Sequence, residues 1–298
     1  MTLALVVWIA VSTPVLDTPG YDYHPAGIDA AIFTCSPAHG GDAIYRNGVP
    51  VLVRSANPAA ADSRHACAPA VVASQYPALV AWVRRLSGTR VTKAWLLYYE
   101  CEPLATDGHP SICVAVSHNQ VRWWRWDGRG FAGPAQPIIV SEPTSDWYGA
   151  GHPSAMVLPD GRIRLTYYDW DGTTSYHVAD SWDGLHVWTV ADWALPVPPP
   201  GPGVRVQRFP DGRYLVLGVI DNANGYTVGD GVTWQPWTVL GQSVPAHWAA
   251  PARAAVVANE RGEIPFGVPV RLLSAEYLPG PWWWLQGAAI YAMTGKWQ

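Results

Sequence analysis

The chain has 298 residues, a formal net charge of −4, 49% hydrophobic residues and only 14% charged ones, with 18 Trp, 28 Gly and 28 Pro. So much Gly and Pro excludes a mainly helical chain, since they cost about 1 and 3 kcal/mol in helix interiors, and the apolar fraction excludes intrinsic disorder. The acidic balance argues against nucleic acid as the main partner, and no nucleotide-binding glycine loop, paired CxxC or HExxH motif is present.

In chain order, Thr2–Val15 is apolar but too short to span a bilayer, which needs about 20 residues. It lacks a basic leading segment and reads as a buried strand rather than a secretion signal. No other run is long enough to cross a membrane. A strand-rich unit is expected over roughly 20–60, containing GIDAAIF and GVPVLVRS. The next unit holds KAWLLYYE and SICVAVSHNQVRWW, two strand-like runs around the turn dipeptide Asp107-Gly108. If those runs form a hairpin, Cys101 and Cys113 lie nearly opposite and form either a disulfide or two buried thiols; Cys35 and Cys67 offer a second pairing. Disulfides would favour an oxidising, exterior location.

Two later segments align. Ser154–Trp188 contains VLPDGRIRLTYYD and SYHVADSWDGLHVW, and Val204–Trp234 contains QRFPDGRYLVLGVID and GYTVGDGVTW. Each reads as strand, Pro-Asp-Gly-Arg turn, strand, loop, strand and an Asp-Gly turn closed by Trp. A last copy starts at Pro251 with ARAAVVANERGEIPFGVPV and runs to WWWLQGAAIYAM. Repeats of about 40–65 residues with roughly four strands each are the signature of a β-propeller. The expectation is an all-β, single-domain, five-bladed propeller over 1–298, with blades at roughly 20–60, 65–140, 146–195, 203–243 and 247–298. Residues 2–15 would pair with the C-terminal blade, closing the ring and covering its edge. PVPPPGP at 196–202 would be a stiff inter-blade connection.

Trp147–Asp169 (WYGAGHPSAMVLPDGRIRLTYYD) resembles the third-blade segment of five-bladed glycoside hydrolases related to family 43, and Ser181–Trp188 (SWDGLHVW) is similar to the Ser-x-Asp-Gly turn of those enzymes and of sialidases. The resemblance implies a funnel lined by the innermost strand of each blade, with three carboxylates acting as base, pKa modulator and general acid. The trio is not recognisable. His24 stands where the family has its first carboxylate, with Asp22 and Asp29 nearby; blade two opens Arg64-His65-Ala66-Cys67 without an acid; blade three has His152-Pro153-Ser154; blades four and five offer Arg205 and Arg253. Related propellers often carry a central ion, which the resemblance extends to this chain as an expectation. His24 and His152 would suit a transition metal, but without a carboxylate partner ordinary hydrogen-bonded histidines, and no cofactor, are the favoured reading.

The residues at or just before the inner strands are Tyr23, His24, His65, Trp147, Tyr148, His152, Arg205, His247, Trp248 and Arg253. Aromatic faces stack on sugars while His and Arg bond their hydroxyls, a combination typical of ligand sites. Three functions therefore compete. One is a non-enzymatic glycan-binding propeller, such as an adhesion or receptor-binding component of a cell surface or virion. Another is a glycosidase with Asp22 or Asp29 as base and Glu142 or Asp146 as acid. The third is an assembly protein using its Trp-rich faces, including the runs Trp123-Trp124 and Trp282-Trp283-Trp284, for protein contacts.

Overall fold

The fold was obtained as a computed structural model. It describes residues 9–10, 23–36, 43–104, 109–140, 149–169, 175–186, 188–190, 204–220, 223–239, 251–266, 268–277 and 288–296. Strand β1 (Ile9–Ala10) comes first, and five open antiparallel sheets follow one another along the chain. Sheet one is β2 (Tyr23–Ile28), β3 (Ala31–Ser36), β4 (Ala43–Arg46) and β5 (Val49–Val53). Sheet two is β6 (His65–Ser74), β7 (Ala94–Glu102) and β8 (Ser111–Ser117), with β9 (Trp123–Arg125) and β10 (Pro137–Ile139) both paired to β8. Sheet three is β11 (Gly151–Val157), β12 (Ile163–Asp169), β13 (Ser175–Ser181) and β14 (Thr189–Val190). Sheet four is β15 (Arg205–Arg208), β16 (Tyr214–Ile220), β17 (Ala223–Gly229) and β18 (Thr238–Val239). Sheet five is β19 (Pro251–Val256), β20 (Pro269–Tyr277) and β21 (Ala288–Lys296), and β1 pairs with β21 through Ile9–Thr294 and Ala10–Met293.

The first strand of each sheet packs against the first strand of the next, and β19 packs against β2, so five first strands surround an axis. Apolar layers fill the spaces between neighbouring sheets. Phe33, Ile44 and Leu52 meet Val71, Leu97 and Tyr99 between sheets one and two. Leu96, Tyr98 and Val114 meet Val157, Ile163 and Leu165 between sheets two and three. Strand alternation explains this assignment, because successive side chains point to opposite faces and both faces of sheet two are covered. Leu96 and Leu97 are both fully buried, in different layers, and each contributes about 1.5–3 kcal/mol. The same alternation splits the first Trp run. Trp123 packs edge-on to Phe33 at 6.4 Å in one layer, and Trp124 packs against the other. The run at 282–284 lies outside the described residues.

Among the described residues one helix interrupts the strands, a difference from the all-strand expectation. α1 (Pro77–Ser87) opens on proline, buries Leu79, Val80 and Val83, and ends where Gly88 turns left-handed and donates its N–H to Arg84 O at 2.9 Å. It lies on the layer between sheets two and three.

The turn between β19 and β20 binds the ring together. Ala258 N donates to Gly27 O and its carbonyl accepts from Asp29 N, in sheet one. Glu260 O accepts from Ala73 N of sheet two at 2.7 Å, Arg261 O accepts from Val157 N of sheet three at 2.8 Å, and Ile264 N donates to Arg208 O of sheet four at 2.8 Å. These partners end β2, β6, β11 and β15. Those four first strands therefore run in one direction, and residues 258–264 form a plug across their tail ends. The N-terminal ends, here called the heads, lie at the other end of the axis.

Two disulfides are present: Cys35–Cys67 joins sheets one and two with Cα atoms 5.1 Å apart, and Cys101–Cys113 joins β7 to β8 with Cα atoms 5.8 Å apart. Among the described residues no helix is long and apolar enough to cross a membrane.

Candidate functional site

The heads of the first strands share a backbone irregularity. Register shifts fall between Tyr23 and Ala26, Cys67 and Ala70, Gly151 and Ser154, and Pro251 and Arg253, in sheets one, two, three and five. In sheets two and three the bulge contains a non-glycine residue with positive φ, Ala68 at 47° and His152 at 50°. Bulges of this kind re-aim side chains at the ends of strands and recur beside functional sites.

The residue paired with the first residue of each bulge is Cys35, Glu100, Tyr168 and Glu276, all on second strands. Glu100 is the centre of the described part of the site. It is buried, with one carboxylate oxygen 3.2 Å from His65 Nε2 and the other accepting the His152 N–H at 3.3 Å. His65 heads β6 and His152 belongs to β11, so one carboxylate links two sheets. Both disulfides adjoin it, because Cys67 is its cross-strand partner and Cys101 follows it. The next acid, Glu102, pairs with Arg64 Nη1 at 2.9 Å on the outer side.

From the third sheet the site continues into the fourth. Arg205 is buried and donates from Nη1 to Pro153 O at 2.5 Å, while Ser154 Oγ accepts the Val206 N–H at 3.2 Å. The ring of His152 lies 6.4 Å from Tyr168, at 69°. Burial, and then the charge of Asp169, push the Tyr168 phenol above its ordinary value and the Tyr167 phenol up to about 12. Both phenols are therefore neutral donors at physiological pH. Below this level the axis narrows to a cavity of about 40 Å³, lined by small residues with Ser154, Arg205 and Gln207 as its polar members. Gln207 bonds both ways to Val256, at 2.8 and 3.0 Å, and fixes sheet four to sheet five. A volume this small admits water but not a sugar ring.

The structure thus brings together His65, His152 and Arg205. It places Asp29 elsewhere: β2 ends at Ile28, so Asp29 emerges at the tail end beside the plug. There partial burial, and then Glu260, raise its carboxyl against the opposing Lys93. That geometry removes Asp29 from the acids available at the head. Tyr23, His24 and Arg253 lie on head strands whose side chains are outside the described set, and Asp22, Glu142, Asp146, Trp147, Tyr148, His247 and Trp248 lie outside the described residues. Among the described residues no three His, Cys, Asp or Glu side chains form a metal-binding group. Reading along the first strands missed Glu100, since its contribution comes from the second strand. The available signal was an acid closing an apolar strand, in WLLYYE at 95–100 and in LLSAE at 272–276.

The arrangement offers a carboxylate, two imidazole-bearing residues, a guanidinium and the Tyr168 phenol from three neighbouring sheets. Such a set can bond vicinal hydroxyls. With a second carboxylate it can also carry acid–base chemistry at an acetal.

No family model and no curated relative matches the chain. Solved structures do. A family 117 glycoside hydrolase, Zg3597, from the marine bacterium Zobellia galactanivorans superimposes with a TM-score of 0.64 at 12% identity, covering 97% of this chain and 90% of that one. The catalytic domain of a GH62 α-L-arabinofuranosidase from Coprinopsis cinerea gives 0.61 at 12% identity, covering 97% and 96%. A GH62 hydrolase solved in complex with xylotriose gives 0.61 at 9% identity, covering 96% of each. At these identities the likeness establishes the fold: an all-β chain resembling the five-bladed propeller glycoside hydrolases.

Proposed function

We propose that this chain is a carbohydrate-binding five-bladed propeller that holds a glycan at the heads of its first strands without cutting it. The observation that carries the reading is the convergence of His65, Glu100, His152 and Arg205 from three neighbouring sheets, two of them bulged at this level. Support for a binding rather than a cleaving role comes from the described first-strand heads, which carry imidazole and guanidinium groups where acid–base chemistry at an acetal needs carboxylates. We further propose a single ring over 1–298 in which β1 closes the fifth blade, supported by its two-residue pairing with β21. A secreted or virion-surface location is supported by the two disulfides.

The test is a glycan array followed by calorimetry with the best ligand. Glu100→Gln and Arg205→Lys should each weaken binding about tenfold or more, the loss of a charge-assisted hydrogen bond. Absence of binding to every glycan, with the fold intact, would refute the reading.

One observation favours a second reading. Glu100 and Glu276 occupy the same register position, opposite the bulges of sheets two and five. A glycosidase using this pair would hydrolyse aryl α-L-arabinofuranosides or β-xylosides and lose turnover in both Glu100→Gln and Glu276→Gln. No hydrolysis by the unaltered protein would dispose of it.

A further inference from the structure

At the tail end of the axis, between sheets two and three, a cavity of about 320 Å³ adjoins the plug. Its walls include Tyr76, Lys93, Asp160, Trp182, Glu260 and Arg261. The volume sits at the lower end of the range for small-molecule sites, about 300–1,000 Å³. Trp182 is 57% exposed, an unusual state for so large an apolar ring. The turn that carries it does not use the indole. Ser181 Oγ donates to His186 O at 2.6 Å, and Asp183 Oδ1 accepts the Leu185 and His186 N–H groups, both at 2.8 Å. Arg162 braces the ring at 5.8 Å and is not part of the wall.

The charges in the wall are matched. Lys93 pairs with Glu260, Asp160 accepts from Arg162 Nε at 2.7 Å, and Arg261 Nη2 donates to Leu158 O at 2.7 Å. The two carboxylates of the wall already have cationic partners in Lys93 and Arg162, and Arg261 lies 4.0 Å from Glu263, so a charged ligand would have to compete with these pairs. A wholly apolar ligand would cover charged groups without bonding them, which is costly. The remaining chemistry is a neutral ring with one C–H face and many hydroxyls.

We propose that this cavity is a second ligand site, taking one neutral saccharide unit stacked on Trp182, with Asp160, Lys93 and Glu260 bonding its hydroxyls. It uses none of the residues at the heads and stands independently of the function proposed for them.

The experiment is ¹⁹F NMR of 5-fluorotryptophan-labelled protein, with the Trp182 line identified by its absence from Trp182→Phe. Xylotriose, cellotriose and β-1,3-galactotriose are titrated separately to millimolar concentrations, with inorganic phosphate as the charged comparison. The expected result is a saturable shift of the Trp182 line with at least one trisaccharide. That titration should weaken about fivefold or more in Asp160→Ala, as loss of a hydrogen bond to a charged group requires, and stay unchanged in Glu100→Gln. Should Asp160→Ala not fold, Glu260→Gln gives the same reading. No shift with any trisaccharide, an unweakened titration in the cavity variant, loss of the shift in Glu100→Gln, or a shift with phosphate alone would each overturn the proposal.

Discussion

Replacing Gly262 by alanine tests whether the plug holds the ring together. Gly262 has φ +75°, and an added Cβ would stand 2.6 Å from Ala155 O and 3.1 Å from Met156 Cα. These are backbone atoms of β11, so they cannot swing aside. The left-handed conformation alone costs alanine about 1 kcal/mol or slightly more. Relieving the clash moves the turn away from sheet three and strains the Val157 N–H to Arg261 O bond, with the neighbouring Ala73 N–H to Glu260 O bond. Each bond is worth about 0.5–1.5 kcal/mol net, so the total loss should be about 2–4 kcal/mol. Gly161 supplies the comparison: its φ is +92°, but a Cβ there meets nothing within 4 Å, and Gly161→Ala should lose only the backbone cost, about 1 kcal/mol. At about 2–4 °C per kcal/mol for chains of this order of size, calorimetry should show Gly262→Ala melting roughly 4–16 °C lower and Gly161→Ala about 2–4 °C lower. Equal shifts for the two variants would refute the reasoning that the plug carries inter-sheet load.

Other outcomes follow from the same geometry. Asp62 is fully buried between sheets one and two, bonded by Arg125 Nε at 2.5 Å and by Tyr99 OH at 3.1 Å; Arg125→Ala should cost about 3–5 kcal/mol in urea unfolding, with Asp62→Asn in the same chain restoring part of it. Replacing Cys35 and Cys67 by serine should lower stability by about 3–4 kcal/mol, and replacing Cys101 and Cys113 by about 3 kcal/mol, on the chain-entropy relation for their sequence separations of 32 and 12. Either change should also weaken glycan binding, since both bridges adjoin Glu100. Acid should destabilise the turns. Against an opposing burial effect, the backbone N–H groups of Arg129, Gly133, Gly130 and Ala132 hold the Asp127 carboxyl below its usual range, and His186 does the same for Asp183. The unfolded chain binds more protons there, so stability present above about pH 4 is lost as pH falls through the depressed folded values. Melting temperature should fall between pH 5 and 3, and less steeply in Asp127→Asn; an unchanged slope would contradict the assignment.

Much of the architecture was legible because turn chemistry repeats. Pro159-Asp160-Gly161 joins β11 to β12 and Pro210-Asp211-Gly212 joins β15 to β16. The corresponding segment of sheet five, 258–264, has a different sequence, and nothing local marks it as contacting four other sheets. Helix α1 was overlooked because Pro77 and Gly88 look like two more chain breakers among many, although Leu79, Val80 and Val83 have helical spacing. Along the first strands the sequence offers His65, His152 and Arg205. Glu100 escaped because its position depends on a bulge between Cys67 and Ala70, and a bulge shifts register in a way only the paired strand reveals. Asp29 was misplaced for a simpler reason, one strand length separating it from the head.

The most direct measurement is a crystal structure of the protein soaked with the oligosaccharide that binds best on the array. Glycan density at the heads, with hydroxyls within hydrogen-bond distance of Glu100 and Arg205, is the predicted result. Intact heads without a sugar, while the oligosaccharide occupies some other surface, would contradict the account.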